Sequence, residues 1–376
     1  MEFSITRGTL ANVLTKVGKV LNAKSSIPIL SGLFIEVKED EINFIASDSE
    51  TTVALRLLSS DPSVSIIHAG TTVIPKEAFN TILKLQGVID FKFNASKNTI
   101  SIVQKDDNFK LDFQTFVAEE YPPVTEIPQG SIPVKMKANR FKHLIDETIH
   151  CVSTSDSRPI LQSINFVVSE NMIHAEATDG HRLAKVIDTD FSCKLPEGKT
   201  IKLPVPAEVL KNISKALNLD EDIILLFSDN CFAAMNNNII FTSSIFNGVY
   251  PDITRLIPND FIANVTLNRN ELLNTLNILS EVKEQGIVKM QFDDMFTTLI
   301  AEGSISKGKK EIAHKEIECE TDLNIAFSAD FLKQALLVLE NTDVTINFKG
   351  AEAPFVLKEN HNLFESVHLI LPVRQY

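Results

Sequence analysis

EFSITRGTLANVLTKVGKVL (Glu2–Leu21), PVKMKANRFKHLIDETIHCV (Pro133–Val152) and NVTLNRNELLNTLNILSEVK (Asn264–Lys283) read as three versions of one unit, a short alternating strand followed by an amphipathic helix. Alternation sends every second strand side chain to one face, and the helical period gathers apolar positions into one stripe. In the first copy Leu10, Val13, Leu14, Val17 and Leu21 form that stripe. The equivalent positions Leu10, Phe141 and Leu272 stand 131 residues apart each time, and Leu14, Ile145 and Leu276 keep the interval. A spacing this regular marks triplication of a long segment.

A second strand–helix unit lies about midway through each copy: TTVIPKEAFNTILKL (Thr71–Leu85), TIKLPVPAEVLKNISKAL (Thr200–Leu217) and LNIAFSADFLKQALLVL (Leu323–Leu339). Phe79, Leu210 and Leu332 correspond, 131 and then 122 residues apart, so the third copy has a shortened connection. Each helix opens after Pro or a Ser/Asn-type residue, as helix starts do. Between the helices run alternating strands such as Leu33–Val37, Ile42–Ala46, Ile223–Phe227 and Thr345–Phe348. Two hairpins share the pattern Ala46-Ser47-Asp48 and Ala177-Thr178-Asp179, again 131 residues apart. A strand, a helix and about three strands thus recur six times. Proline-bearing linkers at Tyr121–Ile132 and Tyr250–Asn259 separate three expected domains, 1–127, 128–254 and 255–376. The expected fold class is α+β, with two helices packed on antiparallel sheet in each domain. A repeat this long buries its own core, unlike a solenoid module, and similar domains joined head to tail build arcs and rings.

The bulk composition fits a globular protein of several domains: 376 residues, 44% hydrophobic, 23% charged and no tryptophan. Met1-Glu2-Phe3-Ser4 leads into mixed polar and apolar residues that do not resemble a secretion signal, and no apolar run is long enough to span a bilayer. The expected location is cytoplasmic. Cys151, Cys193, Cys231 and Cys319 lie far apart with no histidine at ligand spacing, which suits isolated reduced thiols rather than zinc or disulfides. The net charge of −13 argues against broad phosphate binding, yet its distribution is uneven. Arg7–Leu21 carries three positive side chains and no negative one, and Lys76–Gln86 and Ala207–Leu217 are each net +1. Asn139–Cys151 balances at zero, and Arg269–Val282 and Asp330–Glu340 are each −1. The six helices therefore sum to +3 and leave −16 for everything else, so one face can meet phosphates while the remainder repels them.

Catalytic and metal chemistry find no foothold. Asp179-Gly180-His181-Arg182 places an acid, a base and an arginine together, but between two strand runs Asp-Gly is turn chemistry, and no nucleophile motif accompanies it. A hydrolase using His181 and Asp179 is the less favoured rival, as is a repeat scaffold with no nucleic-acid role. The eight histidines show no HxxxH or HExxH spacing, and no glycine-rich phosphate loop occurs. Neither a metal nor a cofactor is expected. The 24 phenylalanines mostly alternate with polar residues on strands, as core side chains do.

Several short stretches together resemble one family, the bacterial DNA polymerase III beta subunits or sliding clamps. They are Pro28-Ile29-Leu30 before the strand Leu33–Val37, the run Ala177-Thr178-Asp179-Gly180-His181-Arg182-Leu183-Ala184, Gly248-Val249-Tyr250-Pro251-Asp252, Leu256-Ile257-Pro258, and the terminal Leu371-Pro372-Val373-Arg374. Their order and spacing span the whole chain. The resemblance implies a head-to-tail homodimer whose helices line a hole for duplex DNA and whose sheets form the outer rim, with no catalytic site. It also implies a pocket between the second and third domains that takes a short peptide from the replicative DNA polymerase, the clamp loader and other partners. The matching positions are Arg158, Leu161, Thr178, Gly180, His181, Arg182, Leu183, Pro251, Leu256, Pro354, Leu371, Pro372, Val373 and Arg374. DNA contacts are expected at Lys24, Lys76, Glu77, Ser155, Pro159 and Ile160. The pattern departs at Glu77, where some relatives carry a basic residue, and the Ser155–Ile160 loop lacks aromatics. The dimer joint is expected to pair Phe109 with Ile278 and Leu279.

Geometry agrees with a dimer. Helices pack about 10 Å apart, so six around a circle leave a hole of roughly 10 Å, narrower than the ~12 Å major groove alone. Twelve helices leave about 28 Å by the same arithmetic. One chain cannot close around a duplex; two can.

Overall fold

The computed structural model describes residues 1–21, 27–107, 109–123, 127–128, 130–282, 286–319, 323–360 and 364–374. Six helices follow six strands as the repeat requires: α1 Arg7–Val17 after Glu2–Thr6, α2 Phe79–Ile82 after Gly70–Pro75, α3 Ala138–Asp146 after Ile132–Lys137, α4 Ala207–Ser214 after Ile201–Pro206, α5 Arg269–Leu279 after Ala263–Asn268, and α6 Ala329–Val338 after Asn324–Ser328. The first and fifth start on side-chain caps, Thr6 accepting from the Thr9 amide and Asn268 from the Glu271 amide. The helices are shorter than their apolar stripes suggest. After α3 the Thr148 hydroxyl donates to the Leu144 carbonyl at 2.6 Å, and Ile149–Cys151 forms a separate 3-10 turn. Likewise α2 is a single turn entered through the 3-10 stretch Lys76–Ala78.

The chain divides into two compact units, Met1–Ala138 with Glu208–Ile245, and Asn139–Ala207 with Phe246–Tyr376. In the first unit, one antiparallel sheet runs in the order Val64–His68, Glu2–Thr6, Val88–Asn94, Thr99–Gln104, Phe109–Gln114. Its core is aromatic: the Phe3 ring stacks on Phe91 at 4.8 Å and meets Phe44 edge-on at 6.4 Å. Another sheet of this unit joins Ile239–Ser244 to Thr51–Leu58, with Thr242 opposite Thr52. In the second unit, Ser163–Val168, Ile173–Thr178, Arg182–Asp188, Phe364–Ile370 and Phe355–Asn360 are consecutive neighbours in one sheet. Over the third-domain core α5 and α6 bury Leu272, Leu276, Leu279, Leu332, Ala335 and Leu336.

The division by compactness therefore cuts through the segment that the linkers mark as the second domain. Main-chain hydrogen bonds cross both linkers' junctions, through Ile239–Ser244 on one side and through Arg182–Asp188 paired with Phe364–Ile370 on the other. A linker marks covalent continuity only; sheet pairing decides what packs as one body.

The shared hairpin tripeptides fold alike. Asp48 Oδ1 accepts from the Glu50 and Thr51 amides, and Asp179 Oδ1 from the His181 and Arg182 amides. The Ser47 hydroxyl donates to the Thr51 carbonyl and the Thr178 hydroxyl to the Arg182 carbonyl. Both turns need a left-handed residue: Gly180 has φ 91° and Ser49 has φ 83°. Serine is strained there by its Cβ, and glycine is not. Ser49→Gly is thus expected to raise stability slightly, by up to about 1 kcal/mol once the looser unfolded chain is offset. A thermal melt showing clear destabilisation would mean that the serine side chain holds the turn.

Candidate functional site

The pairing of Arg182–Asp188 with Phe364–Ile370 sets Leu183 opposite Leu369 and Lys185 opposite Val367. Because strand side chains alternate, Leu183, Val367 and Leu369 share one face. There they form a small apolar cluster with Leu161, Tyr250, Ile253 and Val356, and Ile160, Ile257 and Phe261 pack against it. This cluster is separate from the third-domain core. Leu256, 57% exposed, and Leu371, 37% exposed, belong to the segments that border it and stay in solvent. Exposed leucines beside a small apolar cluster give a surface suited to a short apolar partner.

Beside the apolar cluster stands the turn Asp179–Arg182, held rigid from three directions. Arg182 Nε pairs with Asp179 Oδ2 at 2.9 Å, Arg182 Nη1 donates to Gln334 Oε1 at 2.9 Å, and the guanidinium lies 4.3 Å above the Phe331 ring. The Tyr250 hydroxyl accepts the Thr178 amide at 3.0 Å, and burial pushes its pKa well above the ordinary tyrosine range. Leu371 donates its amide to the His181 carbonyl at 2.9 Å, and Val373 donates to the Ala326 carbonyl at 2.7 Å. The chain end is thereby tied along the turn. Asp179 commits its carboxylate to backbone amides and Arg182, so an acid–base role for Asp179 and His181 has no geometric support. The Cys151 thiol is buried, and burial raises its pKa, which keeps it protonated and inert.

The remaining expected pocket residues differ in exposure. Gly180, His181, Pro251, Arg158 and Arg374 are exposed, while Pro354, Pro372 and Val373 are half-buried. The Arg158 carbonyl accepts the Leu161 amide and starts the 3-10 turn Pro159–Gln162. Sequence reading passed over Ile253, Val356, Val367 and Leu369, and it did not assign Tyr250 to the site. The alternating pattern of Phe364–Ile370 was the available signal for the strand pair. Phe331 and Gln334 carried none, since on α6 they read as ordinary helix positions.

The expected DNA contacts fall on three separate segments of the chain. Lys24 lies outside the described residues. The Lys76 ammonium is half-buried and donates to the Leu21 carbonyl, closing the chain after α1. Glu77 is exposed in the adjacent turn. Ser155 and Pro159 are exposed, with the Ser155 hydroxyl 2.9 Å from that of Ser157. Ile160, in the 3-10 turn Pro159–Gln162, is half-buried and packs on the apolar cluster.

The expected joint residues differ in exposure. Leu279 is 3% exposed and belongs to the third-domain core, because it continues the buried stripe of Leu272 and Leu276. Its neighbour Ile278 is 71% exposed, and Phe109, 52% exposed, opens the edge strand Phe109–Gln114.

Comparison with known proteins accounts for nearly the whole chain. The DNA polymerase III beta subunit N-terminal domain matches residues 1–125, the central domain residues 135–252 and the C-terminal domain residues 254–374. The beta sliding clamp of Bacillus subtilis (strain 168) is 28% identical over 385 residues, covering 100% of both chains. That of Staphylococcus aureus (strain Mu50) is 27% identical over 387 residues, again with 100% of each covered. The crystal structure of the DNA polymerase sliding clamp from Bacillus subtilis superposes with a TM-score of 0.92 at 28% identity, covering 100% of both chains. With three consecutive domains matched in order and one fold along its full length, the chain belongs to the DNA polymerase III beta subunit family, the sliding clamps.

Proposed function

We propose that two copies of this chain close head to tail into a ring around duplex DNA and make a replicative DNA polymerase processive by tethering it. The observation that carries the tethering is the apolar platform of Leu183, Val367 and Leu369 with exposed Leu256 and Leu371 at its border. It suits a short apolar-tipped peptide from a polymerase, a clamp loader or another partner. The reading takes three domains, 1–127, 128–254 and 255–376, and the three stretches matched in order support a division into three. The joint pairs the edge strand at Phe109 with the surface around Ile278 of the second copy. The role is that of a cytoplasmic replication factor without catalysis, and it calls for no cofactor. No described helix is long and apolar enough to cross a membrane.

With a net charge of −13 the chain can hold DNA only weakly by phosphate contacts, and any such contact weakens with salt. Topology supplies the retention instead, and absence of base-reading contacts lets the ring slide. The test loads rings onto closed circular DNA in moderate salt and then cuts the circle. Rings are expected to persist on the circle and run off the free ends within minutes. Equal retention on both forms would mean direct binding and would overturn the reading.

A further inference from the structure

On the reverse face of the strand that lines the pocket lies a cluster that the proposed function does not use. His368 alternates with Val367 and Leu369 and so points away from the apolar platform. It is 1% exposed and meets Glu147, also 1% exposed, with Nε2 3.3 Å from Oε2. The other carboxylate oxygen lies 3.2 Å from His143 Nε2. The His150 ring stacks on His368 at 5.3 Å, and the His143 ring packs on Phe364 at 4.1 Å. Among the described residues, Glu147 has these two histidines as its ion-pair partners and no lysine or arginine.

A buried carboxylate is tolerated only with partners, and here the partners are imidazoles, a group type that can gain or lose a proton near neutral pH. The groups that act on His150 are His368 on the strand Phe364–Ile370 and Arg182 on the neighbouring strand; Glu147, His143 and Cys151 belong to its own stretch, and the buried Glu176 on the strand Ile173–Thr178 is engaged by Asn165 and His174. Asp179 is already committed to Arg182, and Glu359, on the next strand, to the amides of Glu340 and Asn341.

We propose that His143, Glu147, His150 and His368 form a proton-operated brace behind the peptide pocket, which holds the shared sheet in binding geometry while His150 is neutral and loosens it when His150 takes up a proton. The proposal rests on the peptide-pocket reading above. Burial, then His368 and Arg182, hold the His150 pKa well below its ordinary value of 6.5. The folded state therefore binds fewer protons at His150 than the unfolded chain does. Its contribution to stability is complete above pH 6.5 and is lost progressively as the pH falls below that. The brace and the pocket are two faces of one strand pair, so loosening one disorders the other.

The test measures binding of a fluorescent apolar-tipped peptide to the full chain by anisotropy from pH 8 to pH 5. Affinity is expected to be flat above pH 7 and to fall severalfold between pH 6.5 and 5, by at most about tenfold per pH unit because one proton is taken up. His150→Phe keeps the ring stack and removes the proton site, and its profile should be flat. His181→Asn, normalised to its own affinity at pH 8, should keep the acid loss, because His181 lies on the rim and not in the brace. A flat wild-type profile, or a His150→Phe profile as steep as wild type, overturns the brace. Amide exchange of the wild type, corrected for intrinsic rates, gives a measurement that needs no variant. Strands 182–188 and 364–370 should lose protection at pH 5.5 relative to 99–104, and uniform protection overturns the proposal. If the peptide fails to bind even at pH 7.5, the pocket reading falls, and amide exchange still decides whether the brace responds to protons.

Discussion

Leu279→Asp is expected to unfold the third domain, whereas Ile278→Asp, one position away, is expected to separate the dimer and leave the fold intact. Leu279 packs among Leu276, Val288, Leu299 and Ile312, and its Cδ2 lies 2.6 Å from where Gly308 would carry a Cβ. Gly308, on the strand Lys307–Ala313 at the edge of a four-stranded sheet, leaves the space that this leucine fills. Truncating such a leucine costs about 2–5 kcal/mol, and an unpaired buried carboxylate adds to that. The total approaches the whole stability of an ordinary domain. Ile278 is in solvent, so aspartate there changes stability by about 0.5 kcal/mol at most. Thermal melts and sedimentation at nanomolar concentration separate the two effects. A Leu279→Asp chain that melts like wild type would contradict its place in the core. An Ile278→Asp chain that still sediments as a full dimer would put the joint elsewhere.

Deleting Leu371–Tyr376 is expected to lower affinity for an apolar-tipped peptide by about a hundredfold or more while the sheet survives. The last strand ends at Ile370, so every pairing with Arg182–Asp188 and Phe355–Asn360 remains. What goes is Leu371 and Val373, with the main-chain bonds to the His181 and Ala326 carbonyls that align them. Two apolar side chains bordering a small apolar platform carry about 1.4 kcal/mol or more each, which is the source of the hundredfold loss. Calorimetric titration with the peptide, beside a melt of the truncated chain, gives both numbers. Unchanged peptide affinity would show that the chain end is no part of the pocket.

The sequence by itself determined the local elements, their repetition and the family. Helix stripes such as Leu10-Val13-Leu14-Val17 and Leu272-Leu276 are periodic, and periodicity is a property of neighbours along the chain. The Asp179 turn was legible for the same reason, since its bonds reach only two or three residues. Tertiary structure alone decided which side chains share a face across strands about 180 residues apart. It set Leu183 against Leu369, brought Gln334 and Phe331 to Arg182, and put Glu147 between His143 and His368. It also separated Leu279 from Ile278, adjacent residues that helical geometry turns about 100° apart, one into the core and one into solvent. Lys76 shows the limit most plainly: as a letter it is a positive charge available to phosphate, but in the fold it donates to the Leu21 carbonyl. Charge is written in the sequence, while the partner each charge meets depends on contacts that only folding creates.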